Sequence, residues 1–129
     1  MATIKSFEEI EAWKKGRVLS AEIFKVFANI PASRDFALKD QIGRAIGSVM
    51  DNIAEGFERG GNREFIQFLS IAKGSAAETQ SQLYRVLDRH YIGQEDFDRM
   101  YKETLAITRL LGGMIAYLKK SEFKGPKFK

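Results

Sequence analysis

The chain has 129 residues, 44% of them hydrophobic and 29% charged, a composition that suits one soluble domain with a substantial core. It contains no cysteine, which excludes disulfides, thiolate metal sites and cysteine nucleophiles. The formal charge of +4 comes entirely from residues 119–129, because residues 1–118 hold 16 basic and 16 acidic side chains.

Met1 to Lys5 leads directly into a charged amphipathic segment, so no cleaved signal is expected. No apolar run approaches the roughly 20 residues of a membrane span. A cytoplasmic protein is the expectation. The tail lysines, Lys119, Lys120, Lys124, Lys127 and Lys129, either attract phosphates without regard to sequence or form a solvated terminus that aids solubility.

Apolar residues keep a helical period throughout, and no stretch alternates like a half-buried strand. The first helix is expected over about 7–28, with Ser6 and Glu9 as a capping box and Pro31 as the stop. Phe7, Ile10, Trp13, Arg17/Val18, Ala21 and Phe24 form its main face. A second helix over about 34–59 follows, with Ser33 as the preferred cap and Asp35 suited to the first turn. Its core stripe is Leu38, Ile42, Ala45, Val49 and Ile53, and it stops at Gly60-Gly61. Asn62 caps the third helix, over about 62–90, whose apolar line runs Phe65, Phe68/Leu69, Ala72, Ala76, Thr79, Leu83, Val86/Leu87; Gly93 closes it.

The last helix, over about 95–119, carries two apolar lines. One runs from Phe97 through Tyr101, Thr104, Thr108, Leu111 and Ile115 to Leu118; the other contains Met100, Ile107, Leu110, Met114 and Tyr117. Gly112-Gly113 inside it implies either a close helix–helix approach or a kink. Four such helices joined by short loops predict an all-α, antiparallel up-down-up-down bundle over residues 1–118, with 119–129 as a Lys-rich tail. A bundle needs one stripe per helix, so the second stripe of the last helix predicts a homo-oligomer, against a wide face buried within the monomer.

Little in the chain suggests catalysis. His90 is the single histidine, beside Arg89 and Tyr91 near a helix end, and reads as a surface or capping residue. No Glu-x-x-His pair, phosphate loop or dinucleotide fingerprint occurs. Gly60-Gly61-Asn62-Arg63 has backbone donors suited to an anion, although turn geometry accounts for the same residues. The expectation is a protein that is not an enzyme, without metal or cofactor.

Polar residues nevertheless line up on the central helices. Gln41, Arg44, Ser48, Asn52, Glu55 and Arg59 lie on one helix, and Ser75, Glu78, Gln82, Arg85 and Arg89 on the next. With the turn at 60–61, residue n faces roughly 121 minus n, which makes Arg44 to Glu78 the expected cross-helix ion pair. The seam either fixes register, as buried polar groups do in coiled coils, or forms a ligand or nucleic-acid groove.

The run Gln41-Ile42-Gly43-Arg44-Ala45, Ser48-Val49, Asn52-Ile53-Ala54-Glu55-Gly56 and Arg59, followed by Glu64-Phe65, Phe68-Leu69, Ile71-Ala72, Gly74-Ser75 and Glu78, resembles the four-helix-bundle family of 23S rRNA intervening-sequence proteins. The resemblance extends over residues 7 to about 118. It departs at Ser48-Val49-Met50-Asp51, where the family usually carries a proline, so the second helix should run straighter here. The resemblance implies homopentameric, barrel-like rings and a link to the accessory protein of diversity-generating retroelements, which partners a reverse transcriptase and binds nucleic acid. It implies no catalytic activity. The leading functional expectation is an oligomer that binds RNA or single-stranded nucleic acid. The alternative is a protein-interaction scaffold or accessory subunit for a nucleic-acid enzyme such as a reverse transcriptase.

Overall fold

The computed structural model describes residues 4–124, with side chains as far as Ser121. Four long helices account for most of it: α1 (Glu11–Val26), α2 (Phe36–Arg59), α3 (Asn62–Asp88) and α4 (Gln94–Lys124). Single 3-10 turns at Phe7–Glu9 and Ala32–Arg34 precede α1 and α2, and the described residues contain no strand. Cross-helix contacts set the order. Ser48 meets Ser75 across α2 and α3, Asn62 reaches Leu118 and Gln80 reaches Thr104 across α3 and α4, and Glu22 meets Arg99 across α1 and α4. Residue numbers rise along α3 as their partners on α4 fall.

The helix ends depart from expectation for local reasons. Ser6 makes no side-chain cap bond. Ile10, extended at ψ 123° and 2% exposed, separates the Phe7–Glu9 turn from α1, while Phe7 packs edge-on against Trp13 at 5.1 Å. α1 ends at Val26, short of Pro31, where the backbone tightens and Asn29 Nδ2 donates to the Lys25 carbonyl. Asp35, rather than Ser33, caps α2 by accepting from the Leu38 N–H at 3.3 Å. Gly61 precedes α3, leaving Asn62 inside the helix to donate to the Leu118 carbonyl at 2.7 Å, a buried tie between α3 and α4. Gly93 does not close α3. His90 does so, in the left-handed region at φ 62°, with Tyr91 N–H donating to the Val86 carbonyl and His90 N–H to that of Leu87. This is the double closure typical of helix C-termini, with histidine in the usual glycine position.

The core stripes of α2 and α3 lie as the periodicity indicates: Leu38, Ile42, Ala45, Val49 and Ile53 face Leu69, Ala72, Ala76 and Leu83 in the interior. The face expected for α1 is displaced by one residue. Its buried line is Ala12, Gly16, Leu19 and Ile23, leaving Val18 57% and Phe24 71% exposed. Small residues at 12 and 16 allow α1 to approach α2; a Cβ at Gly16 would stand 3.2 Å from Met50 Cγ.

The second stripe of α4 is largely consumed inside the monomer. Met100 and Ile107 are buried, Leu110 and Met114 pack against the core, and Tyr117 alone is substantially exposed. That stripe therefore does not by itself call for a second copy. Gly112-Gly113 also proves not to be a close crossing, since a Cβ at Gly113 would touch nothing and one at Gly112 only the end of Lys73. The close approach is instead at Gly56, where a Cβ would lie 2.5 Å from Phe68 Cβ. No helix among the described residues is long and apolar enough to cross a membrane.

Candidate functional site

The two lines of polar side chains meet, but as three separate groups. At the centre, Ser48 and Ser75 share a hydrogen bond of 2.8 Å, and Asn52 Nδ2 donates to both the carbonyl and the hydroxyl of Ser48 at 2.8 and 2.9 Å. Thr79 returns its hydroxyl to the Ser75 carbonyl at 2.9 Å. Each group is partly or wholly buried and its neighbours satisfy it, so this part of the seam fixes the register of α2 on α3.

At the turn end, Arg59 pairs with Glu55 at 2.9 Å and Glu64 at 3.7 Å, and its guanidinium lies 5.1 Å from the Phe68 ring centre. The hydrogen bond to Glu55 raises the Arg59 pKa further, fixing its charge. At the far end, Arg89 leaves the seam for Asp35 at 2.6 Å. Asp35 also accepts from the Tyr91 hydroxyl at 2.8 Å, so one carboxylate caps α2 and ties down the α3–α4 turn. These bonds, that from Tyr91 foremost, hold the Asp35 carboxyl below its ordinary 3.8 despite opposing burial.

The expected Arg44–Glu78 ion pair does not form. Arg44 Nε instead donates to Asp40, one turn earlier on its own helix, at 2.9 Å with its side chain 80% exposed. Register does not forbid the pair, since the Ser48–Ser75 contact leaves Arg44 opposite the region of Glu78; an i,i+4 partner requires less ordering of a long side chain than one across the groove. Arg44 and Glu78 nonetheless line the same open groove of about 420 Å³, with Gln41, Ser48, Ser75, Gln82 and Arg85. Gln82 is 4% exposed and its Oε1 has no hydrogen-bond partner among the described residues. Beside this groove, Gly43 and Gly47 flatten the outer face of α2 into a shallow depression bordered by Phe36 and Lys39.

A second feature appears only when α3 and α4 are laid side by side. Residues 65–77 of α3 and 104–121 of α4 contain no aspartate or glutamate. They carry Lys73, Arg109, Lys119 and Lys120, all exposed and without an ion pair among the described residues. Lys73 extends across α4, its Nζ 3.9 Å from where a Cβ of Gly112 would stand. Residues 1–118 are neutral overall, yet this face is locally cationic. The expected tail begins later than residue 119, because α4 continues through Lys124. Lys119 and Lys120 are thus helical, the Lys124 side chain is not described, and Lys127 and Lys129 lie outside the described residues.

The family model for the 23S rRNA-intervening sequence protein matches residues 8–113. The chain belongs to this family. A crystal structure at 1.70 Å of a protein with unknown function from the S23 ribosomal protein family of Bacteroides thetaiotaomicron VPI-5482 superposes with a TM-score of 0.74. The two are 24% identical, over 81% of this chain and 95% of that one, which supports the shared fold. No curated protein matches the chain.

Within this member of the family, the run Asn52-Ile53-Ala54-Glu55-Gly56 divides its labour. Asn52 anchors the serine pair, Ile53 fills the core, Glu55 holds Arg59, and Gly56 admits Phe65 and Phe68. α2 continues as one helix through Ser48-Val49-Met50-Asp51, as expected for a run without proline. No group of three or more acidic, histidine or cysteine side chains that could hold a metal occurs among the described residues. Sequence reasoning missed Asp35 as a hub and the cationic face. The absence of acids was visible along the chain, but its meaning depends on two distant windows becoming neighbours.

Proposed function

We propose that this protein is a non-enzymatic, self-associating bundle that binds RNA or single-stranded nucleic acid in the cytoplasm. The observation carrying the reading is the acid-free, cationic half of the α3–α4 face, where Lys73, Arg109, Lys119 and Lys120 stand unpaired among the described residues. Phosphates release counterions from such a face without any need for base recognition. In a ring, every copy presents the same four cations, so weak contacts per subunit add by multivalency. The family's name, tied to sequences that intervene in 23S rRNA, supports the same reading. The α2–α3 seam then serves mainly to hold the bundle in register, and its groove, with Arg44 and Arg85, is a secondary contact.

Electrophoretic mobility at two salt concentrations tests the proposal. Labelled RNA or DNA should shift at low salt, and Lys73→Gln with Arg109→Gln should weaken the shift and flatten its salt dependence. Absence of a shift for both nucleic acids at low salt defeats the reading.

A second reading, a scaffold or accessory subunit for a nucleic-acid enzyme such as a reverse transcriptase, is favoured by Phe24 and Phe36, which are 71% and 73% exposed. Affinity capture from the native host should then recover one dominant partner that Phe24→Ser or Phe36→Ser releases. Recovery of self-associated protein alone counts against it.

A further inference from the structure

The α3–α4 face ends, away from its lysines, in an aromatic cluster. Tyr84 is 48% exposed, and its ring centre lies 4.9 Å from that of Phe97 and 5.8 Å from that of Tyr101. Phe97 is buried and Tyr101 half-buried, so two anchored rings brace one that faces outward. From Tyr84 the face runs past the Gln80–Thr104 hydrogen bond of 2.9 Å to Lys73, three helical turns or about 16 Å along α3. There Gly112 offers no side chain, and Lys73 lies across the backbone of α4.

We propose that Tyr84, backed by Phe97 and Tyr101, is a stacking platform for an unpaired base of single-stranded nucleic acid whose backbone follows the α3–α4 face toward Lys73. The inference rests on the nucleic-acid reading and sharpens it to unpaired strands. A base in a duplex has both faces covered by its neighbours, whereas an unpaired base can lay one against an exposed ring. The charge pattern selects the occupant. Asp88 and Asp98 flank the aromatic cluster, and beyond them the face carries cations without acids over residues 65–77 and 104–121. This sequence of ring and then cations matches a polymer alternating π-faces with phosphates. A second copy docked by two-fold symmetry would set this cationic face against itself.

The test uses the full chain and a fluorescein-labelled 12-nucleotide strand, free and as a blunt duplex of the same sequence, followed by anisotropy at two salt concentrations. The single strand should bind about ten-fold more tightly than the duplex. Tyr84→Leu should remove that preference, weakening single-strand binding by about ten-fold and leaving the salt slope unchanged, while Tyr84→Phe retains it. Lys73→Gln should lower the slope by about 0.7. As a readout on the unmodified protein, a strand carrying 5-iodouracil should photocrosslink to Tyr84 or Tyr101, located by peptide mass spectrometry.

Equal affinity for both forms with no effect of Tyr84→Leu, or crosslinks confined to other residues, overturns the platform and leaves the wider nucleic-acid reading intact. Absence of binding to either form at low salt removes both. A Tyr84→Leu protein that dissociates into smaller species by light scattering, with per-subunit affinity unchanged, makes Tyr84 a subunit contact and also overturns the proposal.

Discussion

Gly56→Ala should destabilise the bundle, although alanine is the better helix former. A Cβ at residue 56 would stand 2.5 Å from Phe68 Cβ, 3.1 Å from Phe65 Cδ1 and 3.3 Å from Phe68 Cγ. Carbon atoms settle about 3.5–4.0 Å apart, and Phe68 Cβ is fixed to its backbone, so no rotamer change relieves the clash. α2 and α3 must move apart by about 1 Å, loosening Ile53 against its neighbours and the Ser48–Ser75 bond. Overpacking of this kind costs about 1–3 kcal/mol, from which the helix preference of alanine over glycine returns up to about 1. A net loss near 1–2 kcal/mol lowers the melting temperature by roughly 3–10 °C for a chain of this size. Gly43→Ala and Gly47→Ala are the controls, since a Cβ at either meets nothing within 4 Å. Each should stabilise by about 0.5–1 kcal/mol. Thermal melts followed by circular dichroism at fixed protein concentration compare the three, because self-association would otherwise shift the midpoint. A Gly56→Ala protein that melts at or above the parent temperature refutes the packing argument.

Asp35→Ala removes a helix cap and should cost about 1 kcal/mol or more, with a lower melting temperature than Asp40→Ala, whose carboxylate pairs only at the exposed surface. Because the folded state lowers the Asp35 pKa, its contribution is present above the ordinary 3.8 and is lost as pH falls through the folded value. The parent and Asp35→Ala melting temperatures should therefore converge below that range in a pH series; a constant gap contradicts the assignment. Arg44→Ala should change stability by less than about 0.5 kcal/mol, close to Lys119→Ala, because the exposed Arg44 pairs only with Asp40. A large loss in urea titration would mean that the guanidinium has a buried partner. Gln82→Leu replaces a buried, unpartnered oxygen and should be neutral or stabilising by up to about 2 kcal/mol in the same titration. Destabilisation would show that Oε1 is satisfied in solution.

Hydrophobic period and punctuation by glycine and proline were enough to determine four helices, their order and the buried lines of α2 and α3, because a 3.6-residue repeat maps directly onto one helical face. The same reasoning failed on α1, where the buried line runs through Ala12 and Gly16 while larger apolar residues face outward. Hydrophobicity favours size, whereas close helix packing selects small side chains, and only the docked partner decides between them. The lined-up polar residues of α2 and α3 were legible from spacing. Their division was not, because Arg44 chooses Asp40, Arg89 chooses Asp35, and Ser48 chooses Ser75 according to distances that exist only after docking. The sequence alone determined a neutral body and a charged end. Tertiary structure brought two acid-free stretches, residues 65–77 and 104–121, onto one face beside Tyr84, because electrostatic potential and stacking act through space rather than along the chain.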